Sequence, residues 1–469
     1  MTQNRFFRAG PWAAAALIFF LLLTGCAARE EAPEVTASPA PTAVPAAAAP
    51  APTPAKRVRL GNLSYRSDVR SLALLSGTDL EELEEKLPEF TDLETVTIRG
   101  AAVDNDRQDA LREKFPGIDF RFPTRLLGRD YPWDAAEIDL TGRELTEEDL
   151  LQLRDNAWRL PLLERVDLTG SAFDGDTLHA LDLALGDTDV VWTFQVYGVT
   201  VCSTDQEIDL SRRSIRDHAA ALEAVLPWFT HLEKVVMCHC GVPNEEMDAL
   251  NQKYEDIRFV WSVYFSMWSL RTDATNFIAA RTVNKAHLYS SECRVLRYCT
   301  DLIALDLGHK DLTDLSFLYD LPKLQYLILV EMDINDITPI GSLSELKYLE
   351  VFWTKIEDIS PLINCKNLRD LNICYIYCKP DRAFAALMQM PWLERLWYCG
   401  NALSPEQVEA LQANMPQCEM YLAPHGESTG STWRYHPHYY EMRDVFEMFY
   451  MEGGTNGVAE DGSQIVHRG

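Results

Sequence analysis

From Leu302 onward the apolar positions recur with a period of 22 residues. Units begin at Leu302, Leu324, Leu346 and Leu368, and a longer one brings the next start to Leu393. Leu302, Leu305, Leu307, Leu312, Leu315 and Leu318 mark the first unit, and Leu324, Leu327, Leu329, Ile334, Ile337 and Ile340 repeat them in phase. Leu346, Leu349, Val351, Ile356, Ile359 and Leu362 do so again. Alternation at the head of each unit predicts one short strand per repeat, with its leucines on one face and the residues between them on the other. A repeat this small cannot bury an apolar face alone, so neighbouring units must stack with their strands parallel.

Upstream the ruler is longer. LETVTI at Leu93, LERVDL at Leu163 and LEKVVM at Leu232 lie 70 and 69 residues apart, and LERLWY at Leu393 matches them. A leucine follows 18 residues later in each (Leu111, Leu181, Leu250, Leu411), and position 25 holds Ile118, Thr188, Ile257 and Cys418. EIDL recurs at Glu137 and Glu207. GRELTEEDLLQLRDN and NEEMDALNQKY, between these strand signals, have helical apolar spacing. Each long unit reads as strand, helix and further strand, with VVWTFQVYG and RFVWSVYF among the further strands. The divergent units of residues 57–300 either continue the array of residues 301–423 or form an independent α/β domain.

The L-x-x-L-x-L heads resemble leucine-rich repeats, and NDITPI and EDISPL are similar to the internalin-like branch of bacterial surface proteins. The resemblance implies an α/β fold: a leucine-rich repeat solenoid with parallel strands on its concave face and helices and turns on its convex side. It also implies binding of protein partners through the concave face. One feature departs from the family, which places Asn or Cys eight residues after the first leucine. That slot holds Lys310, Met332, Thr354 and Ile376 here, and only Asn401 and, in an earlier unit, Cys240 conform.

The residues between the strand leucines are unusual for a water-facing surface. LKYLEVFWTKIEDISPL carries Tyr348, Phe352 and Trp353. Strand phase puts Tyr326 and Tyr348 in one column, and adds Glu350, Phe352, Asp370, Arg395 and Trp397 to the same face. The upstream strands offer Thr95, Thr97, Arg99, Arg165, Asp167 and Thr169 instead, a plain polar face. A contiguous exposed apolar patch marks an interaction site, and Tyr and Trp add contact area with few rotors to freeze. Tyr326, Tyr348, Phe352 and Trp397 are therefore candidate ligand-binding residues, with Glu350, Asp370 and Arg395 setting polarity.

Residues 424–469 form a tail in which the repeat pattern stops. HGESTGST leads to WRYHPHYYEMRDVFEMFYM, where Tyr439, Met442, Val445, Phe446 and Phe449 make an apolar stripe at helical spacing. This short amphipathic helix can fold back over the aromatic face, cap the last repeat or engage another molecule. Residues 453–469 are rich in Gly and polar side chains.

The N-terminus changes the expected location. Arg5 and Arg8 precede the apolar run Ala13 to Leu23, too short for a bilayer span, and LTGC follows. This resembles the lipobox of bacterial lipoproteins, which implies a signal peptide over residues 1–25 and a lipid-carrying Cys26. In the Ala/Pro-rich linker of residues 26–56, the stretch from Glu30 to Lys56 favours polyproline II geometry and reaches roughly 80 Å. The expected location is the extracytoplasmic side of the cell membrane, on a lipid anchor.

Charge and composition narrow the function. A formal net charge of -28 argues against nucleic acid and against peripheral adhesion to anionic lipid. Cys299, Cys365 and Cys418 fall in apolar slots of the repeats and read as small core side chains. Cys374 and Cys399 share a strand position in consecutive units, the one pair placed for a disulfide. CHC at Cys238 to Cys240 lacks a second ligand pair, and HPH at His436 to His438 reads as surface histidines beside a proline, so no metal and no cofactor is expected. GxSxG, HExxH and P-loop patterns are absent. The expectation is a non-enzymatic surface protein that binds a protein or glycan. The alternatives are an envelope enzyme or enzyme accessory with its site in residues 57–290, and a structural envelope protein docked by its tail.

Overall fold

The computed structural model describes residues 56–75, 77–279, 287–400 and 402–447. The expected signal peptide over residues 1–25, Cys26, the linker to residue 55, Asn401, Phe449 and residues 453–469 lie outside the described residues. Among the described residues no helix is long and apolar enough to cross a membrane.

The short repeats form a seven-stranded parallel sheet whose strands lie in chain order. They are Asn276–Ile278, Ala304–Asp306, Tyr326–Ile328, Tyr348–Glu350, Asp370–Asn372, Arg395–Trp397 and Glu419–Tyr421. Leu305, Leu327, Leu349, Leu371 and Leu396 pair in one unbroken register. All five are fully buried in the main core. Each such burial stabilises by roughly 1.5–3 kcal/mol. The sheet is thus built as the leucine-rich resemblance implies, one strand per repeat.

Short 3-10 turns, Ser316–Asp320, Thr338–Ser342 and Ser360–Asn364, return the chain between strands. Asp336 and Asp358 each accept from the backbone N–H two residues on at 2.9 Å, and a proline follows in the first turn. That is the physical content of NDITPI and EDISPL: an Asx turn starts the segment, and proline fills a position whose N–H would have no partner. The longer unit at Leu368 spends its extra residues on an α-helix, Pro380–Leu387.

The turn slot is satisfied without asparagine. Met332 and Ile376 are buried there among apolar side chains, and the Thr354 hydroxyl donates to the Val351 carbonyl at 2.8 Å. Lys310 is also buried, with its ammonium 5.1 Å from the Trp268 ring. Cys240 conforms to the family, its thiol lying 3.1 Å from the Leu210 carbonyl.

The long units are more broken than one continuous array. Each contributes a separate three-stranded parallel sheet: Ser71–Leu75, Thr95–Arg99 and Asp119–Arg121; then Glu137–Asp139, Arg165–Asp167 and Asp189–Val191; then Glu207–Asp209, Lys234–Val236 and Arg258–Val260. Antiparallel hairpins separate these sheets from one another and from the seven-stranded sheet. VVWTFQVYG is therefore not one strand. It runs parallel over Asp189–Val191, turns at the buried Trp192, and enters a hairpin at Thr193–Val196. RFVWSVYF breaks the same way at Trp261.

The break has a cause. The Trp192 N–H donates to the Ser203 hydroxyl at 3.1 Å while its carbonyl accepts from the Ser203 N–H at 2.9 Å. Thr272 does the same for Trp261 at 3.2 and 2.9 Å. These bonds satisfy the backbone where it leaves the parallel ladder. The loops Leu127-Gly128 and Tyr197-Gly198 have φ of 50° and 75°, and 49° and 72°, the double left-handed turn that suits a two-residue hairpin. Alternation alone does not reveal the change of pairing partner.

Candidate functional site

Strand alternation sorts the side chains as expected. Leucines enter the main core, while Ala304, Tyr326, Ile328, Val330, Tyr348, Phe352, Cys374, Trp397 and Cys399 form a second cluster on the opposite face. That face is not open. Tyr326, Tyr348, Glu350, Phe352, Asp370, Arg395 and Trp397 are all buried, none more than 6% exposed. The expectation that they form a freely exposed binding surface is corrected: residues 425–446 of the same chain lie across them.

The covering segment has two short helices, Ser431–Arg434 and Pro437–Val445. Trp433, Met442 and Phe446 join the sheet residues in one apolar cluster, with Tyr439 and Val445 packed against it. Trp433 is the centre. Its ring lies 5.6 Å from Tyr348 and 5.3 Å from Trp397 between centroids, and the Arg395 guanidinium sits 3.9 Å over it. Its indole N–H donates to Glu350 Oε1 at 2.8 Å, and the Tyr348 hydroxyl donates to the same oxygen. Sequence periodicity passes over Trp433 because Pro437 begins a new helix, out of phase with it.

Polar contacts fix the register of the cover. The Tyr326 hydroxyl donates to Glu441 Oε1 at 2.6 Å, and Arg369 donates to both Glu441 oxygens at 3.1 Å. Asn372 donates to the Ser428 carbonyl at 2.7 Å, and the Tyr375 hydroxyl to the Gly426 carbonyl at 2.6 Å. Beneath the cover Asp370 lies 3.2 Å from Arg395 Nε and 3.1 Å from His438 Nδ1. Cys374 and Cys399 are neighbours, the Cys399 N–H donating to Cys374 Sγ at 3.2 Å, and both are free thiols.

Burial dominates the titration of this layer. It raises the Glu350 and Asp370 carboxyls above their ordinary values and lowers the Arg395 guanidinium, despite the opposite charges between them. Tyr326 and Tyr348 are also raised, first by burial and then by Glu441 and Glu350 respectively. His436 is pushed down to about 4 by burial, then by Arg395 and His438. Glu441 goes the other way: burial acts to raise it, but bonds from Tyr326 and Arg369 hold it low.

Trp353 escapes the cover. His309, Glu331, Trp353, Tyr375 and Gly400 occupy equivalent positions at the exits of successive strands, with φ of 62°, 54°, 55°, 56° and 85°. This left-handed step keeps their N–H groups in the ladder; Trp353 N–H donates to the Cys374 carbonyl at 3.0 Å. The Trp353 and Tyr375 rings stack at 4.4 Å and 20°. Trp353 is 53% exposed and Tyr377 65%, and both border a groove of about 700 Å³ that Asp333, Lys355, Lys379 and Arg382 also line.

Gly400 makes this stack possible. A Cβ there would overlap the Tyr375 ring, at a φ that side chains rarely adopt. Gly400→Ala is expected to destabilise by about 1–3 kcal/mol, read by urea denaturation. Gly430→Ala, where a Cβ would meet Glu427 at an ordinary 3.5 Å, is expected to fall within about 0.5 kcal/mol of the native protein. Equal losses in both would show that the left-handed step at Gly400 carries no special strain.

No protein-family model matches the chain. No curated protein matches it either. Solved structures similar to it include an internalin of Listeria monocytogenes, 22% identical, covering 34% of this chain and 76% of that one at a TM-score of 0.25. A second internalin of the same bacterium is 13% identical and covers 69% and 96% at 0.26. A leucine-rich repeat protein of Leptospira interrogans is 13% identical and covers 72% and 92%, also at 0.26. At these scores no conclusion about fold or ligand rests on the likeness.

Proposed function

We propose that this chain is a non-enzymatic, lipid-anchored surface protein: a leucine-rich solenoid, carried on a Pro-rich stalk, that binds a protein partner. The contact lies at the strand-exit rim around Trp353 and Tyr377, not on the strand face itself. One observation carries the reading. The tail covers the aromatic face and leaves Trp353, stacked on the half-buried Tyr375, and Tyr377 exposed beside a groove with mixed charge. Exposed Trp, Tyr and Arg are the side chains that most often dominate protein interfaces. The covered face stiffens the rim, since Tyr375 is tied to Gly426 and Trp353 Nε1 lies 3.3 Å from Ser428 Oγ.

Quantitative binding of the full-length protein to cell-wall, mucin and host-surface extracts tests this. Trp353→Ala with Tyr377→Ala is expected to weaken capture of a protein partner at least about tenfold, or about 1.4 kcal/mol. Unchanged capture by that variant removes the rim. A gain on deleting residues 424–469 moves the site to the covered face, and capture that survives proteolysis of the extract identifies a glycan.

A further inference from the structure

We propose that Asp370, His436 and His438 bind a divalent transition-metal ion that pins the C-terminal segment to the sheet. The inference goes beyond partner binding and does not depend on it. Each residue offers one ligand atom, and these atoms lie within 4.8 Å of one another. Asp370 comes from a central strand and is fully buried, while both histidines stand at the start of the tail helix Pro437–Val445. The sites are far apart in sequence, which is why HPH by itself lacks a partner. Folding of the tail brings the set together.

The donor chemistry selects the ion. Two imidazoles and a carboxylate suit zinc and its neighbours; calcium and magnesium prefer oxygen alone, and copper(I) prefers sulfur. Two more carboxylates stand just outside: Glu394 Oε2 is 3.6 Å from His438 Nε2, and Glu419 Oε2 is 3.9 Å from His436 Nε2. Tetrahedral zinc with bonds of about 2.0–2.2 Å needs ligand atoms about 3.3–3.6 Å apart. Small side-chain rotations close that gap.

Two contacts compete. Arg395 Nε stands 3.2 Å from Asp370 Oδ1, so the ion takes the other carboxylate oxygen. His438 Nδ1 lies 3.1 Å from both Asp370 oxygens, and coordination there shifts the ring proton to Nε2, which faces Glu394 Oε2 at 3.6 Å. His436 Nδ1 accepts from the His438 N–H at 3.1 Å, capping the tail helix. Coordination through His436 Nε2 moves its ring proton to Nδ1 and gives up that cap. In exchange, the helix start is bonded through the metal to the strand beneath it, and loss of the ion loosens the cover over the aromatic face.

The test is zinc titration of the full-length, thiol-reduced protein by calorimetry, with His436→Asn/His438→Gln and Asp370→Asn as variants. Asn keeps a helix cap at 436, and Gln keeps a hydrogen-bond donor at 438. Native protein is expected to take one zinc ion at micromolar Kd or tighter, weakened at least about tenfold in each variant. Zinc is also expected to slow proteolysis within residues 424–447 of the native chain only. Zinc bound by the reduced cysteines would survive in the variants. Undiminished affinity in either variant, or no saturable site in the native protein, overturns the proposal.

Discussion

Trp433→Ala releases the C-terminal segment from the sheet. Trp433 is fully buried, and its removal empties the space between Tyr348, Trp397 and Arg395. Truncating a buried Trp to Ala costs about 3–5 kcal/mol. The loss here is compounded because, with the cover in place, Glu350 forfeits the indole N–H and keeps only the Tyr348 hydroxyl, which favours the uncovered state. A surface segment of about two dozen residues has little stability to spare beyond that. Protease cutting within residues 424–447 is expected to accelerate strongly, with loss of near-ultraviolet circular dichroism from the buried rings. The leucine core, packed on the other side of the strands, keeps its far-ultraviolet signal. A variant as protease-resistant as the native protein would mean that Trp433 does not hold the cover in place.

Arg395→Met is the second large effect, expected at about 3–5 kcal/mol, because removing one member of a buried pair leaves the Asp370 carboxyl buried with only the partly exposed His438 and Arg369 beside it. Asp370 is 0% and Arg395 1% exposed, and they lie 3.2 Å apart. Yet Arg395 Nε and Nη1 make no well-aligned hydrogen bond. Asp370 is raised and Arg395 lowered, both through burial, the reverse of what a profitable ion pair produces. The double variant Asp370→Leu/Arg395→Met is therefore expected to recover most of the loss.

The pH dependence has a definite sign. An acid raised in the folded state contributes stability that is full below its unfolded pKa, about 3.9 for Asp, and lost as pH rises through the folded value. Removing Arg395 raises Asp370 further, so the gap between Arg395→Met and native protein widens as pH rises through the native folded value of Asp370, which lies above the unfolded one. Denaturation midpoints across that range check it. A constant offset, or a double variant no better than the single one, sinks the account.

The leucine register, the strand positions and the inside-outside sorting of the short repeats were legible because a period of two within a period of 22 leaves one solution for each side chain. Tyr326 and Tyr348 stand in one column as their spacing requires. What covers them was not decidable from periodicity. The stripe Tyr439, Met442, Val445 marks an amphipathic helix but says nothing of its destination. That depends on pairings such as Tyr326 with Glu441 and Arg395 with Trp433, each formed across a long stretch of chain. The hairpins were missed for a different reason. A parallel and an antiparallel strand show the same alternation, and only the bonds at Trp192 and Trp261 end one and begin the other.

Those hairpins also determine how the molecule yields to force. Backbone pairing stops at each one, and the apolar clusters divide at the same places, into residues 58–122, 126–192 and 196–415. Tension applied at the N-terminal end meets the smallest cluster first. Each front segment can give way without tearing the ladder behind it, so extension proceeds in steps. The last step is the seven-stranded sheet, clasped by its own tail. Residues 57–447 thus yield length one segment at a time while the rim keeps its shape.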